Sequence, residues 1–221
     1  MPSDAKHGAF VLVPDLPNHG ASRLWMPDAV SIETSANAIL SVADKLALNN
    51  ITIRATGGAC AIAAVLAKCL GARCEKLIML DPLPLNKAER EQFLHSLPDL
   101  TPVATGAHLI AAWNWARLQH LFWPWLMPDA NAARQVDAPS PYRVHADVVE
   151  MIRAGEGFAV LWASALNTDL ESIIAKLNCV VRVTCGGEAE RVRLAERLIT
   201  RLNLNPTDSA VKGTRQWQSR N

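Results

Sequence analysis

The 221-residue sequence has almost no net charge and no long apolar run. It contains 22 Lys and Arg against 21 Asp and Glu, and no basic patch alternates with aromatic residues. Because nucleic-acid-binding domains carry clustered positive charge, we expect no nucleic-acid partner. No apolar stretch approaches the roughly 18 residues that cross a bilayer, so we expect no membrane segment.

Cysteine pairs with metal-binding spacing are also missing. The five cysteines are odd in number and form no CxxC motif: Cys60, Cys69, Cys74, Cys179 and Cys185. Cysteines inside apolar runs are typical of reduced, buried small residues, and their spacing argues against a zinc site. The first residues contain no apolar signal region. We therefore expect a cytoplasmic protein that binds no metal and no cofactor.

The sequence does contain a strand that turns directly into a helix. Residues 51–54 alternate and are β-branched, which predicts a strand, whereas the Ala- and Leu-rich residues 61–70 predict a helix. Only small residues lie between them. Gly57 and Gly58 in this stretch allow positive φ and a close approach of strand and helix. The pattern predicts a sharp elbow.

The segments around this elbow predict an α/β core. Residues 9–14 are β-branched and predict a buried strand, and a helix follows to about residue 46, capped by Ser31 or Thr34. Residues 76–80 predict another strand after the elbow helix. Because helices connect these strands, we expect the strands to be parallel.

The pattern changes after Pro82. Helices are predicted over 86–97, 106–122, 147–153 and 157–166, and no strand is predicted before 179–185. A Gly186-Gly187 turn, an amphipathic helix over 190–202 and a polar tail follow. The predicted organisation is a core of residues 1–82 and 176–205, a helical insertion of residues 83–175, and a tail of residues 206–221.

Three segments of the chain are informative together: Val-Leu-Val-Pro-Asp-Leu-Pro-Asn-His-Gly-Ala-Ser (11–22), the elbow, and Lys-Leu-Ile-Met-Leu-Asp-Pro (76–82). They resemble the D-x-P-G-H-G-x-S segment, the G-x-S-x-G elbow and the next strand of the α/β-hydrolase fold family. The resemblance covers about residues 11–205. It implies an incomplete α/β-hydrolase core, a mostly parallel sheet flanked by helices, with residues 83–175 as an inserted helical lid. The family's N-terminal strands and its late histidine segment have no counterpart.

The resemblance assigns positions for each part of the family's acyl-transfer site. A nucleophile, a histidine base, an acid and two N–H donors for the oxyanion are needed. In the ungapped alignment Gly57 stands where the nucleophilic Ser belongs, and the Gly58 N–H is an oxyanion donor. Glu188 is the nearest match to the acid, with Glu190 second. No histidine follows His145. Serine-hydrolase catalysis is therefore expected to be lost.

Cys60 offers an alternative nucleophile. Gly-Ala-Cys-Ala-Ile (58–62) is a partial G-x-C-x-G, and a thiol at a helix N-terminus is expected to have a lowered pKa. Against this, Ile62 is bulky where a small residue is needed, and Cys60 also packs well as a small residue of the first helical turn. The alternative function is a hydrolase of esters or C–C bonds in small apolar or aromatic carboxylic compounds, using Cys60 or a complementing chain.

The helical insertion contains the candidate binding residues. Trp113, Trp123 and Trp125 either form its core or line an apolar pocket for a small ligand. His108 lies in the same helix as Trp113, an arrangement similar to lids that cover carboxylic or aromatic esters.

Three functional hypotheses follow, so whether the chain is an enzyme stays open. The first is a non-catalytic protein with a small-molecule pocket under the lid, and the second is the hydrolase just described. The third is a truncated, non-functional relative. An exposed sheet edge would favour homo- or hetero-oligomers in each case.

Overall fold

The computed structural model describes residues 10–22, 30–126, 128, 132–134 and 136–204. The polar tail of residues 206–221 lies outside them. The strands within these ranges are β1 (Ile51–Thr56), β2 (Cys74–Leu80) and β3 (Val180–Thr184). The helices are α1 (Ile32–Lys45), α2 (Ala59–Leu70), α3 (Lys87–His95), α4 (Ala107–Leu121), α5 (Pro141–Ala154), α6 (Glu156–Asn167), α7 (Leu170–Ile174) and α8 (Ala189–Arg201).

The three strands form one parallel sheet in the order β1-β2-β3, which confirms the predicted α/β class. Ile53 pairs with Leu77 and Leu77 with Val181, so these three side chains lie on one face of the sheet. That face is buried in a core shared with α1, α2 and α8. Because all three strands are parallel, their carboxyl ends lie at the same edge of the sheet, beside the elbow.

The predicted strand over residues 9–14 is wrong for the part that the structure describes. Residues 10–16 form no strand, and the side chains of Phe10 and Val13 are 70% and 79% exposed. The sequence pattern is that of a strand, but a strand needs a hydrogen-bonded neighbour, and β1 pairs only with β2 in the described sheet. The loop that follows is ordered by Asp15, whose carboxylate accepts from the Ala21 N–H at 2.9 Å.

The described residues between β2 and β3 contain helices and connecting loops and no strand, as the periodicity predicted. This segment comprises α3 to α7 and has its own core of aromatic and aliphatic side chains. The helix predicted over 147–153 begins earlier, at Pro141, because Ser140 caps it and proline is favoured in the first turn. The short helix α7 was not predicted. No helix in the described ranges is long and apolar enough to cross a membrane.

Glu89 joins this helical segment to the sheet core. Its carboxylate pairs with Arg197 and Arg193 of α8 and also completes the capping box with Asn86 at the start of α3. The hydrogen bond from Arg197 is the main reason that the pKa of Glu89 is lowered from 4.5 to about 2. The ionised form is therefore favoured by the folded state.

Glu89→Gln is expected to lower the free energy of unfolding by about 2 kcal/mol at pH 7, because it removes the charge and keeps the capping box. A group with a lowered folded pKa stabilises the protein above its unfolded pKa. The difference from wild type should therefore shrink as pH falls from about 4.5 to about 2. Urea unfolding at pH 7 and pH 2.5 measures it. Glu91→Gln, an exposed control on the same helix, should change stability little. A Glu89→Gln loss that is equal at both pH values would contradict the argument.

Candidate functional site at the strand–helix elbow

Gly57 forms the apex of the elbow between β1 and α2. Its φ is +56°, a conformation that side chains rarely adopt, and its N–H donates to the Leu80 carbonyl at 2.9 Å. A Cβ built at this residue would meet no atom within 4 Å. The chain therefore makes the sharp strand-to-helix turn that the sequence predicts, and the residue at its tip has no side chain.

Cys60 lies in the first turn of α2 and not at the apex. Its N–H donates to the Gly57 carbonyl at 3.1 Å, and its side chain is packed in the core with 1% of the residue exposed. Burial, together with the nearby Asp81 carboxylate, raises the pKa of the thiol above 9.0. This direction is opposite to the one expected for a helix N-terminus, because loss of water outweighs the helix dipole. The thiol is neutral near pH 7.

Trp162 of α6 covers the elbow. A Cβ added to Gly58 would lie 3.1 Å from the Trp162 ring, so the indole is in close contact with the backbone there. The cavity beside the elbow measures about 10 Å³, which is room for about one water molecule. Its lining consists of Gly57, Gly58, Cys60, Ala61, Leu83, Ala165 and Leu170. The structure offers no room for an ester at this position.

Glu188 lies where the family's acid was expected, between β3 and α8. Its carboxylate pairs with Arg134 at 2.8 Å and with Arg191 at 3.4 Å. Burial acts to raise the pKa of Glu188, but Arg191 and Arg134 outweigh it and the pKa is lowered. The second candidate, Glu190, pairs instead with Arg193 on the outer side of α8. Both acids therefore have arginine partners.

Asp81 is a buried carboxylate that the sequence analysis did not single out. It follows β2 with a φ of +52°, accepts from the Gly186 N–H at 2.7 Å and forms an ion pair with Arg191. The guanidinium of Arg191 also lies 4.3 Å from the centre of the Trp123 ring. The sequence signal that could have identified Asp81 is an acidic residue directly after a core strand. We call Asp81, Arg134, Glu188 and Arg191 the arginine–acid network.

The described histidines lie apart from this network. His108 lies in the first turn of α4, where its Nδ1 accepts from the Val103 N–H at 3.3 Å. His120 pairs with Asp147 at 2.7 Å between α4 and α5, and His19 bonds the Pro17 carbonyl within its own loop. None of the described histidines hydrogen-bonds to Gly57, Cys60 or a member of the arginine–acid network. Among the described residues, therefore, no histidine base connects the elbow to the acidic residues of the network.

The candidate binding tryptophans pack together in the core of the helical segment. Trp125 is 2% exposed and its ring centre lies 5.0–5.8 Å from those of Phe93, Trp115, Trp123 and Trp162. Trp113 is half-buried against the same cluster. The structure therefore brings Trp123 to the arginine–acid network and leaves His108 away from it. The described residues contain no group of three or more His, Cys, Asp or Glu that would hold a metal.

Comparison with known proteins identifies the fold. The chain is similar to an esterase from Exiguobacterium antarcticum (15% identity, TM-score 0.66), covering 90% of this chain and 70% of that one. It is also similar to MenH from S. aureus (17% identity, TM-score 0.63), covering 90% of this chain and 71% of that one. A hydrolase from Pseudomonas aeruginosa PA01 is similar as well (19% identity, TM-score 0.55), with 89% of this chain and 66% of that one covered. The α/β-hydrolase fold expected from the sequence is confirmed.

These likenesses extend to the fold alone, because every identity is below 20%. The chain spans about two thirds of the length of the solved structures that it matches. No protein-family model and no curated protein matches the sequence.

Proposed function

We propose that this α/β-hydrolase-fold protein binds a small apolar ligand without serine-hydrolase catalysis. One observation carries the proposal: the apex of the elbow is Gly57, in the backbone conformation of a nucleophile but without an attacking atom. Acyl transfer by this fold needs a hydroxyl or thiol at that point. A scaffold that keeps the turn and lacks the nucleophile is suited to binding.

The surroundings of the elbow support a binding role. Trp162 lies against Gly58, and Glu188 is held by two arginines rather than by a histidine. Glu188 accepts a hydrogen bond from Arg134 and forms an ion pair with Arg191, so its charge is balanced by arginines and not by a histidine base.

The helical segment is proposed to act as the lid over this ligand. Its inner surface beside the elbow consists of the Trp162 ring and of aliphatic side chains such as Leu83 and Leu170, so a small apolar or aromatic compound is the ligand class that it suits. Trp162 has to rotate away for such a compound to reach Gly57 and Gly58. A panel of short-chain aromatic acids and esters should raise the melting temperature of the wild-type protein, and Trp162→Ala should bind them more tightly because the covering ring is gone.

Activity assays test the loss of catalysis. Pure protein incubated with an activated short-chain ester is expected to show no turnover above the protein-free background. Turnover that saturates with ester concentration and is abolished by a serine-directed inhibitor would overturn the proposal.

Gly57→Ser should not create a serine hydrolase, although it restores the missing hydroxyl. The new side chain meets no atom, so the cost is mainly that of a positive φ, about 1 kcal/mol. Without a histidine to accept its proton, the hydroxyl stays a weak nucleophile. Expected results are a folded protein, no ester turnover and no labelling by an organophosphorus probe. Gly71→Ser, at a positive-φ position outside the site, controls for the backbone cost.

The alternative hydrolase with Cys60 as nucleophile makes a different prediction. Since Cys60 is buried and its thiol is protonated, iodoacetamide should not modify it in the folded protein at pH 7.5, whereas exposed Cys69 should react. Peptide mapping by mass spectrometry distinguishes the two sites. Rapid labelling of Cys60, together with ester turnover that Cys60→Ala abolishes, would favour the alternative.

A partner chain is proposed at the free side of β1. This strand is an edge of the described sheet, and Phe10 and Val13, which precede α1 in the chain, are strongly exposed. Light scattering over a hundredfold range of concentration should detect self-association if the partner is a second copy.

We place the protein in a reducing compartment, the cytoplasm, which its five free cysteines support.

A further inference from the structure

Two cysteines meet at the beginning of β2 and β3, far along the sheet from the elbow. Ile51 pairs with Cys74 and Thr52 with Lys76, so Glu75 is an extra residue in a β-bulge. The bulge turns Cys74 onto the same buried face as Leu77. Cys179 precedes Val181 by two residues, and Val181 pairs with Leu77, so Cys179 lies on that face as well.

The two cysteines lie beside the same hydrophobic core. Cys74 is buried in it, its Sγ bonding to the Lys76 carbonyl at 3.8 Å, and Cys179 is partly buried against it. Lys76 pairs with Val180, so the register places Cys179 level with Glu75, one residue from Cys74. A one-residue offset between strands about 4.8 Å apart keeps the Cα separation within the range of about 4.4–6.8 Å that a disulfide bridges. A bond between these sulfurs therefore requires little movement of the backbone.

The two thiols differ in their exposure to solvent. Cys74 is 4% exposed, and burial together with Cys179 raises the pKa of its thiol to about 12. Cys179 is half-buried. An oxidant from solution therefore reaches Cys179 first, and Cys74 is the second thiol to react.

We propose that Cys74 and Cys179 form a reversible disulfide when the protein meets a low-molecular-weight disulfide such as oxidised glutathione. The Cys179 thiolate attacks one glutathione sulfur, which breaks the glutathione disulfide and releases one glutathione thiolate. The Cys74 thiolate then attacks the Cys179 sulfur and releases the second. The two protein thiols lose two protons and two electrons, and one glutathione disulfide becomes two glutathione thiols.

This bond would tie together the two ends of the helical segment. Cys74 begins the strand before α3, and Cys179 directly precedes the strand after α7, so the closed loop contains α3 to α7. Closing a loop of about 100 residues strongly reduces the entropy of the unfolded chain. The oxidised protein is therefore expected to melt about 10 °C higher than the reduced protein.

The experiment treats the folded full-length protein with oxidised glutathione at pH 8.5 and follows intact mass, peptide mass and melting temperature. The expected result is the loss of two hydrogens, a Cys74–Cys179 linked peptide, and a rise in melting temperature that dithiothreitol reverses. Cys179→Ser and Cys74→Ala should each remove the linked peptide and the rise, and Cys69→Ser should preserve both. A wild-type protein that gains only glutathione adducts, or that links other cysteine pairs, would overturn the proposal.

Discussion

Trp125→Ala is expected to lower the free energy of unfolding by about 3–5 kcal/mol, the range for emptying a buried tryptophan site. Trp125 is 2% exposed and contacts four other aromatic rings, so alanine leaves a cavity at the centre of the helical segment. Urea unfolding followed by circular dichroism is the appropriate measurement, since the substitution itself changes tryptophan fluorescence.

Trp113→Ala is the matched control, because Trp113 is half-buried at the edge of the same cluster. Trp113→Ala should lower the free energy of unfolding by clearly less than Trp125→Ala does. Equal losses for the two variants, or a Trp125→Ala loss below about 1 kcal/mol, would show that the aromatic core is not packed as described. If Trp125→Ala also exposes the elbow, the melting temperature of that variant should respond to small aromatic compounds.

Asp81→Asn is expected to destabilise the protein by about 3 kcal/mol, because it leaves the half-buried Arg191 guanidinium without its main counter-charge, the buried Asp81 carboxylate. Asparagine keeps the size of the side chain and tolerates the positive φ at this position, so the change mainly reports the charge. The remaining contact of Arg191 with Glu188, at 3.4 Å, keeps the loss at the lower end of the range for broken buried pairs. Chemical unfolding at pH 7 measures it.

Asp44→Asn provides the control for an ion pair near the surface. Asp44 pairs with Arg73 at 2.7 Å, but its side chain is 54% exposed, so its removal should cost less than about 1 kcal/mol. A loss for Asp81→Asn no larger than that for Asp44→Asn would mean that Asp81 does not hold the ends of β2 and α8 together.

The local pattern was sufficient for the elements whose neighbours are close in sequence. Alternation over 51–54, the small residues from Ala55 to Cys60 and the Ala-rich run after them predicted β1, the elbow and α2, because these elements pack against each other directly. The positive φ at Gly57 follows from the same stretch. The helices of the insertion were predicted from periodicity, with boundaries shifted at α5 by the Ser140 cap.

The local pattern was not sufficient where a distant partner decides the outcome. Residues 10–14 have strand-forming side chains and still form no strand in the described structure, because strand formation depends on hydrogen bonds to another strand. The pKa of the Cys60 thiol is raised, whereas its place at a helix N-terminus predicted a lowered pKa. Its position in α2 is local, but its burial and its distance from Asp81 are set by packing.

The sequence by itself determined the fold class and the absence of a side chain at the apex of the elbow, since both depend on the order of neighbouring residues. Only the tertiary structure decided that Trp162 covers Gly58, that Arg191 pairs with Asp81, and that Cys74 lies beside Cys179. Each of these pairs joins residues far apart in the chain. Parallel strand order, a bulge at Glu75 and the packing of α6 against the elbow place them together, and no local pattern encodes those distances.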